Sequence, residues 1–173
     1  MNNDNQNSKD NLVPAYQKMM TRVEETQKRS TTKTLQQHID SAIEKAIELD
    51  ELTREEAEHI GDYLRRDLHD AADFIITTEQ ALADWIHFDL ELIEERLLEM
   101  FSLMVDQTQQ ELENLAERAR QATQWHSGEI TGLGTLFCEN CDNALHFRQP
   151  DYISSCPNCG TTRFKRKVIN GEW

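Results

Sequence analysis

Cys138-Glu139-Asn140-Cys141 and, after fourteen intervening residues, Cys156-Pro157-Asn158-Cys159-Gly160 contain all four cysteines of the chain. Two residues between cysteines let one tight turn aim both sulfurs at one ion. Two such turns facing each other complete a tetrahedron of thiolates about 2.3 Å from a Zn²⁺. The separation falls just short of the roughly 15–20 residues usual between paired knuckles, and a short hairpin spans it. Gly160 suits a left-handed backbone position at the end of the second knuckle, and Pro157 presets φ early in it. Asp142-Asn143 fills the matching place in the first, where both residue types tolerate turn geometry. The spacing predicts one metal site of Cys138, Cys141, Cys156 and Cys159. Zn²⁺ in a structural role is the favoured ion. Iron in a rubredoxin-like site is less favoured, although ligand softness alone does not separate the two.

The residues beside the knuckles read as short strands. Thr135-Leu136-Phe137 leads into the first, Leu145-His146-Phe147 leads out of it, and Arg163-Phe164-Lys165 leads out of the second. Together they describe a zinc ribbon over residues 128–173. About 45 residues with few apolar side chains bury little core, so the metal is expected to supply the folding energy, on the order of 10–16 kcal/mol in zinc-finger peptides. Two disulfides would need an oxidising compartment, and Met1–Asp10 carries no apolar leader segment. A thioredoxin-type pair needs one Cys-x-x-Cys beside a βαβ pattern, which this sequence lacks. Four thiolates also leave no open position for water, which argues against a catalytic zinc.

Residues 12–127 read as helical and residues 1–11 as a disordered polar lead. Pro14 fits a first helical turn, and Val13, Tyr16, Met20 and Val23 recur at helical spacing. Ser30-Thr31-Thr32 offers cap candidates before a second helix with Leu35, Ile39, Ala42, Ile43 and Ala46 on one face. Thr53 and Glu56 form a capping box for a third helix, in which Gly61 costs about 1 kcal/mol. Ile75-Ile76-Thr77-Thr78 is β-branched and marks a bend or break. From Leu82 the apolar positions step by threes and fours through Ile86, Leu90, Ile93, Leu97, Met100 and Met104 to Leu112, Leu115 and Ala119. That is the narrow seam of a coiled coil or long helical hairpin, on the order of 60 Å if unbroken, ending near Trp125-His126-Ser127 with Gly128 as its stop. The expected architecture is mostly α: a long antiparallel helical hairpin or coiled-coil body, then a small C-terminal β zinc ribbon. A homo-oligomer through the 82–119 seam is an expected partner arrangement.

The charge is uneven. The chain carries 32 acids against 18 bases, a net charge of −14. Residues 128–173 hold five of each (Glu129, Glu139, Asp142, Asp151, Glu172; Arg148, Arg163, Lys165, Arg166, Lys167), so the whole excess lies on residues 1–127. Such a body repels nucleic acid and anionic membrane. No apolar run is long enough for a transmembrane helix, and a cytoplasmic protein is expected.

Trp125-His126-Ser127-Gly128-Glu129, Gly132-Leu133-Gly134 and the two cysteine pairs resemble the bacterial zinc-ribbon-containing proteins of the YbeL type. Glu51-Leu52-Thr53-Arg54 and Leu64-Arg65-Arg66-Asp67-Leu68 look like the same family's helical segment, and the likeness covers most of residues 35–165. The resemblance implies a small bacterial cytoplasmic protein with a helical body and a C-terminal ribbon. This uncharacterised family has no established activity to carry over, and only the four cysteines transfer as binding residues.

Sharper readings compete with plain ones at several places. His126 with Glu129 is read as a junction between helix and ribbon rather than a second metal site. His146 is read as structural, because the ligand set is full. Arg65-Arg66 is read as intramolecular pairing, and Trp85, Phe88 and Phe101 as helix packing. The leading functional expectation is a structural or protein-interaction module, not an enzyme, with an unidentified protein partner. The alternative is a nucleic-acid-binding accessory factor using Arg163, Lys165, Arg166 and Lys167 on phosphates. A metal or redox sensor is a third reading.

Overall fold

The computed structural model of the chain describes residues 4–30, 32–87, 90–114 and 124–166. Among these residues five helices come first: α1 (Asp4–Arg29), α2 (Leu35–Glu48), α3 (Arg54–Thr78), the short α4 (Leu82–Ile86) and α5 (Glu95–Asn114), with a 3₁₀ turn at Leu90–Leu92. Six short strands follow: β1 (Trp125–His126), β2 (Ile130–Thr131), β3 (Gly134–Cys138), β4 (Ala144–Phe147), β5 (Asp151–Tyr152) and β6 (Arg163–Lys165). The mostly α body and C-terminal β module are as the pattern predicts. No described helix is long and apolar enough to cross a membrane.

The helix junctions follow the capping chemistry. Thr53 Oγ1 accepts from Glu56 N at 3.3 Å and Glu56 Oε2 accepts from Thr53 N at 2.9 Å, closing the expected box at the start of α3. Before α2 the cap is Thr34, boxed with Gln37, rather than a residue of Ser30–Thr32. Helix α1 begins at Asp4, inside the stretch expected to be disordered, so Pro14 lies within the helix and not in its first turn. Gly61 has a packing reason: a Cβ there would lie 2.5 Å from Ile43 Cδ1, so glycine lets α3 approach α2.

The long seam is broken into pieces. Helix α3 stops at Thr78, ahead of the seam and in the run where a bend or break is expected, and Glu79 turns left-handed at φ 57°. Helix α4 stops the same way at His87, φ 58°. The Thr77 and Thr78 hydroxyls bond back to the carbonyls of Asp73 and Phe74, a local competition that favours a helix end in this β-branched run. The apolar positions survive the breaks. Ile86, Ile93, Leu97, Met100 and Met104 are buried, but on α4, the following connection and α5 in turn. They join Tyr16, Met19, Met20 and Val23 of α1 and Ile60, Leu64 and Leu68 of α3 in one core within the chain. Trp85 and Phe101 pack in the same core, as expected. Phe88, and Leu115 and Ala119 at the far end of the seam, lie outside the described residues.

The strands form a four-stranded sheet, order β1-β6-β3-β4, and a two-stranded one, β2-β5, with antiparallel pairing throughout. Trp125 and His126, read from sequence as a helix end, are a strand instead. Trp125 pairs with Phe164 and His126 with Arg163. Gly128, at φ 91°, serves the turn from β1 to β2, not a helix stop. Two cores result. Ile130 and Leu133 belong to the helical core. Trp125, Leu136, Phe147, Ile153 and Phe164, with Cys138 and Cys156, form a second, smaller one.

Candidate metal centre

Strand β3 delivers Cys138 at its last residue, and the first knuckle turns back to Cys141 before β4 begins. The turn closes with Asp142 N donating to Cys138 O at 3.0 Å and Cys138 N donating to Asn143 O at 2.9 Å. The second knuckle repeats the device: Gly160 N donates to Cys156 O at 2.8 Å and Cys156 N to Thr161 O at 2.9 Å. In both, the residue after the second cysteine is left-handed, Asp142 at φ 56° and Gly160 at φ 74°. Turn-tolerant residues stand at these two positions for this reason.

The four sulfurs all lie within 4.8 Å of one another. Cys138 and Cys159 sulfurs are 3.4 Å apart, and those of Cys141 and Cys156 are 3.6 Å apart. These are far beyond a disulfide bond of about 2.05 Å. A regular tetrahedron with bonds of about 2.3 Å has edges of about 3.8 Å, so the donor set fits one Zn²⁺. Cys138 and Cys156 are buried and Cys159 is exposed. Asn140 N donates to Cys138 Sγ at 3.4 Å, and Thr161 Oγ1 lies 3.3 Å from Cys159 Sγ. The Thr161 hydroxyl, followed by the Asn140 side chain, brings the Cys159 thiol down to about 5. Hydrogen bonds of this kind favour the thiolate a metal needs and orient it.

The other residues singled out in the sequence fall elsewhere. His146 Nδ1 lies 2.8 Å from Thr135 Oγ1, on the strand beside the site and outside the ligand set. His126 Nδ1 is 3.4 Å from Glu129 Oε1, and Glu129 pairs in turn with Arg66 of α3. The pair therefore sits at a junction with the helical body, but through α3 and not at the end of the preceding helix as the sequence suggested. The proposed phosphate contacts disperse. Arg163 is exposed, with its Nε 3.3 Å from Glu139, and Lys165 Nζ is 3.9 Å from Asp142. Lys167 lies outside the described residues. Arg166 requires correction: its side chain is only 6% exposed and points into the protein, so no phosphate can reach it.

The junction between body and ribbon is a buried polar network that the sequence reading missed. Asp67 on α3 is fully buried. It accepts from Trp125 Nε1 at 2.9 Å, Gly132 N at 2.6 Å, Thr131 Oγ1 at 3.2 Å, Tyr16 Oη at 3.2 Å and Arg66 Nε at 3.1 Å. Arg66 also donates to Ile130 O at 2.8 Å and lies 5.1 Å from the Trp125 ring centre. Burial alone would lower the Arg66 pKa, but Asp67 and then Glu129 raise it. One turn along α3, Asp70 accepts from Trp85 Nε1 at 2.7 Å and faces Arg166 Nε at 3.6 Å. The Arg166 guanidinium sits 3.9 Å from the Trp85 ring centre, and Trp85 stacks on Phe101. A signal was available: Ile60, Leu64, Asp67 and Ala71 share core spacing, so a carboxylate stands on an apolar stripe.

The model of the zinc-ribbon containing domain family matches residues 21–168. YbeL, an uncharacterised protein of Escherichia coli strain K12, is 32% identical over 132 residues, which cover 75% of this chain and 79% of YbeL. The YbeL protein of Escherichia coli O157:H7 matches to the same extent. No solved structure matches the chain.

Proposed function

The chain belongs to the zinc-ribbon containing domain family, and from that membership we propose a non-catalytic interaction protein whose ribbon is held by one Zn²⁺. Cys138, Cys141, Cys156 and Cys159 would hold the ion. The observation that carries this is the closure of the donor set: four sulfurs within 4.8 Å of one another use every tetrahedral position. A metal so enclosed supplies folding energy and presents no bound water for hydrolysis. The module it supports is a recognition head fixed to a helical body, and the partner we propose is a protein.

Three features speak against the nucleic-acid alternative. Arg166 is buried, Arg163 and Lys165 face acids of the ribbon itself, and the chain carries a net charge of −14. The test has two arms. Labelled single-stranded RNA and duplex DNA are titrated at low and physiological salt, and the intact chain is crosslinked in bacterial cells beside a Cys138→Ser/Cys141→Ser variant. The proposal expects no salt-dependent nucleic-acid binding and a protein crosslink that the variant loses. Binding that weakens steeply with salt would favour the alternative.

A further inference from the structure

We propose that the metal site governs the helical body through a two-pronged latch on α3, closed when the ribbon is filled and open when it is empty. This rests on the reading that the ribbon holds a metal. The prongs are Trp125 and Arg166, carried by the adjacent strands β1 and β6 or just beyond them. Trp125 donates to Asp67 at 2.9 Å and Arg166 faces Asp70 at 3.6 Å. Asp67 and Asp70 are three residues apart, on one face of α3. Arg166 is also tied to the sheet, donating to Thr135 O at 3.2 Å and Leu133 O at 3.3 Å.

Both prongs depend on β6, and metal ligands lie beside β6 on one neighbouring strand and shortly before it in sequence. Cys138 pairs with Phe164, Trp125 pairs with the same Phe164, and Cys159 precedes Arg163 by four residues. Apolar packing adds little to hold this strand, because the ribbon core has, among the described residues, only five buried apolar side chains besides Cys138 and Cys156. A module this small depends on its ion for folding. When the ion leaves, β6 loses its register and the prongs lose their aim. The open state has its own stabilisation, since Asp67, Asp70 and Arg166 recover water that burial denies them. Arg166 Nε already lacks a hydrogen bond among the described residues in the closed state. Opening uncovers Trp85 and the α3 carboxylates, so metal occupancy would set which surface the body presents.

Hydrogen–deuterium exchange on the full chain tests this, with metal content measured first. After chelation, peptides covering 66–72 and 82–86 should exchange at least tenfold faster, while α2 (35–48) changes much less. Faster exchange in 138–165 with 66–72 and 82–86 unchanged would overturn the latch. An equal rise in α2 would show unfolding as one unit and would also overturn it. A chain that carries no metal and takes up no added Zn²⁺ overturns the metal reading itself, and this one with it. Arg166→Gln separates the latch from the site: it should keep its metal and still show fast exchange at 66–72. Unchanged exchange in that variant would refute the role of Arg166.

Discussion

Asp67 shows how much one residue can determine. A carboxylate that is fully buried and accepts from five donors is costly to leave half satisfied, so its position fixes where α1, α3 and the ribbon meet. Asp70 makes a titration that can be measured. Burial pushes its carboxyl up to about 6, with Asp67 and Asp73 adding to the rise and Arg166 and Trp85 opposing it. The folded chain therefore holds this proton more tightly than the unfolded chain, where an aspartate titrates near about 3.9. The group favours folding below the unfolded value, and that contribution is lost as pH rises through about 6. Asp70→Asn should gain stability relative to the parent as pH rises from about 4 to about 6 and then level off. Urea midpoints of both proteins across this range would show it, and a pH-independent difference would count against it. The four cysteines were legible because metal geometry admits few spacings. The latch residues were less so, because an Arg or Trp reveals its partner only once distant segments pack.

Capping and turn chemistry predicted element boundaries where it acts locally. The Thr53–Glu56 box and the left-handed positions at Asp142 and Gly160 were readable because each is satisfied within a few residues. The β-branched run Ile75–Thr78 marked the break at Glu79, but the one at His87 was not readable, because His is not the Gly or Asn that usually marks a left-handed stop. Strand β1 was also hidden: two residues carry no period, and only pairing with β6 makes Trp125-His126 a strand. Apolar spacing by threes and fours persisted through three separate pieces, so it reported burial correctly and continuity wrongly. The α3 cap gives a check at this scale. Thr53→Ala removes the acceptor for Glu56 N and should cost about 1 kcal/mol. The urea midpoint should fall with its slope unchanged, and an unmoved midpoint would show that the box contributes nothing.

For the whole molecule, two unequal cores meet across one polar junction. The helical core draws on α1 through α5 and on Ile130 and Leu133. The ribbon core is small, and the stretches that carry the family resemblance fall on both sides of the junction: Leu64-Arg65-Arg66-Asp67-Leu68 on α3, Trp125-His126-Ser127-Gly128-Glu129 on β1 and in its turn to β2. The net charge of −14 lies outside residues 128–173 and favours solubility over anionic partners. On the reading proposed above, an ion bound by the four clustered sulfurs would hold the ribbon. The direct measurement is native mass spectrometry with elemental analysis on protein purified without added metal. The account predicts one zinc per chain, lost together with ribbon structure when Cys138 is replaced by serine. A chain free of both zinc and iron, with residues 125–166 still protected from exchange, would contradict it.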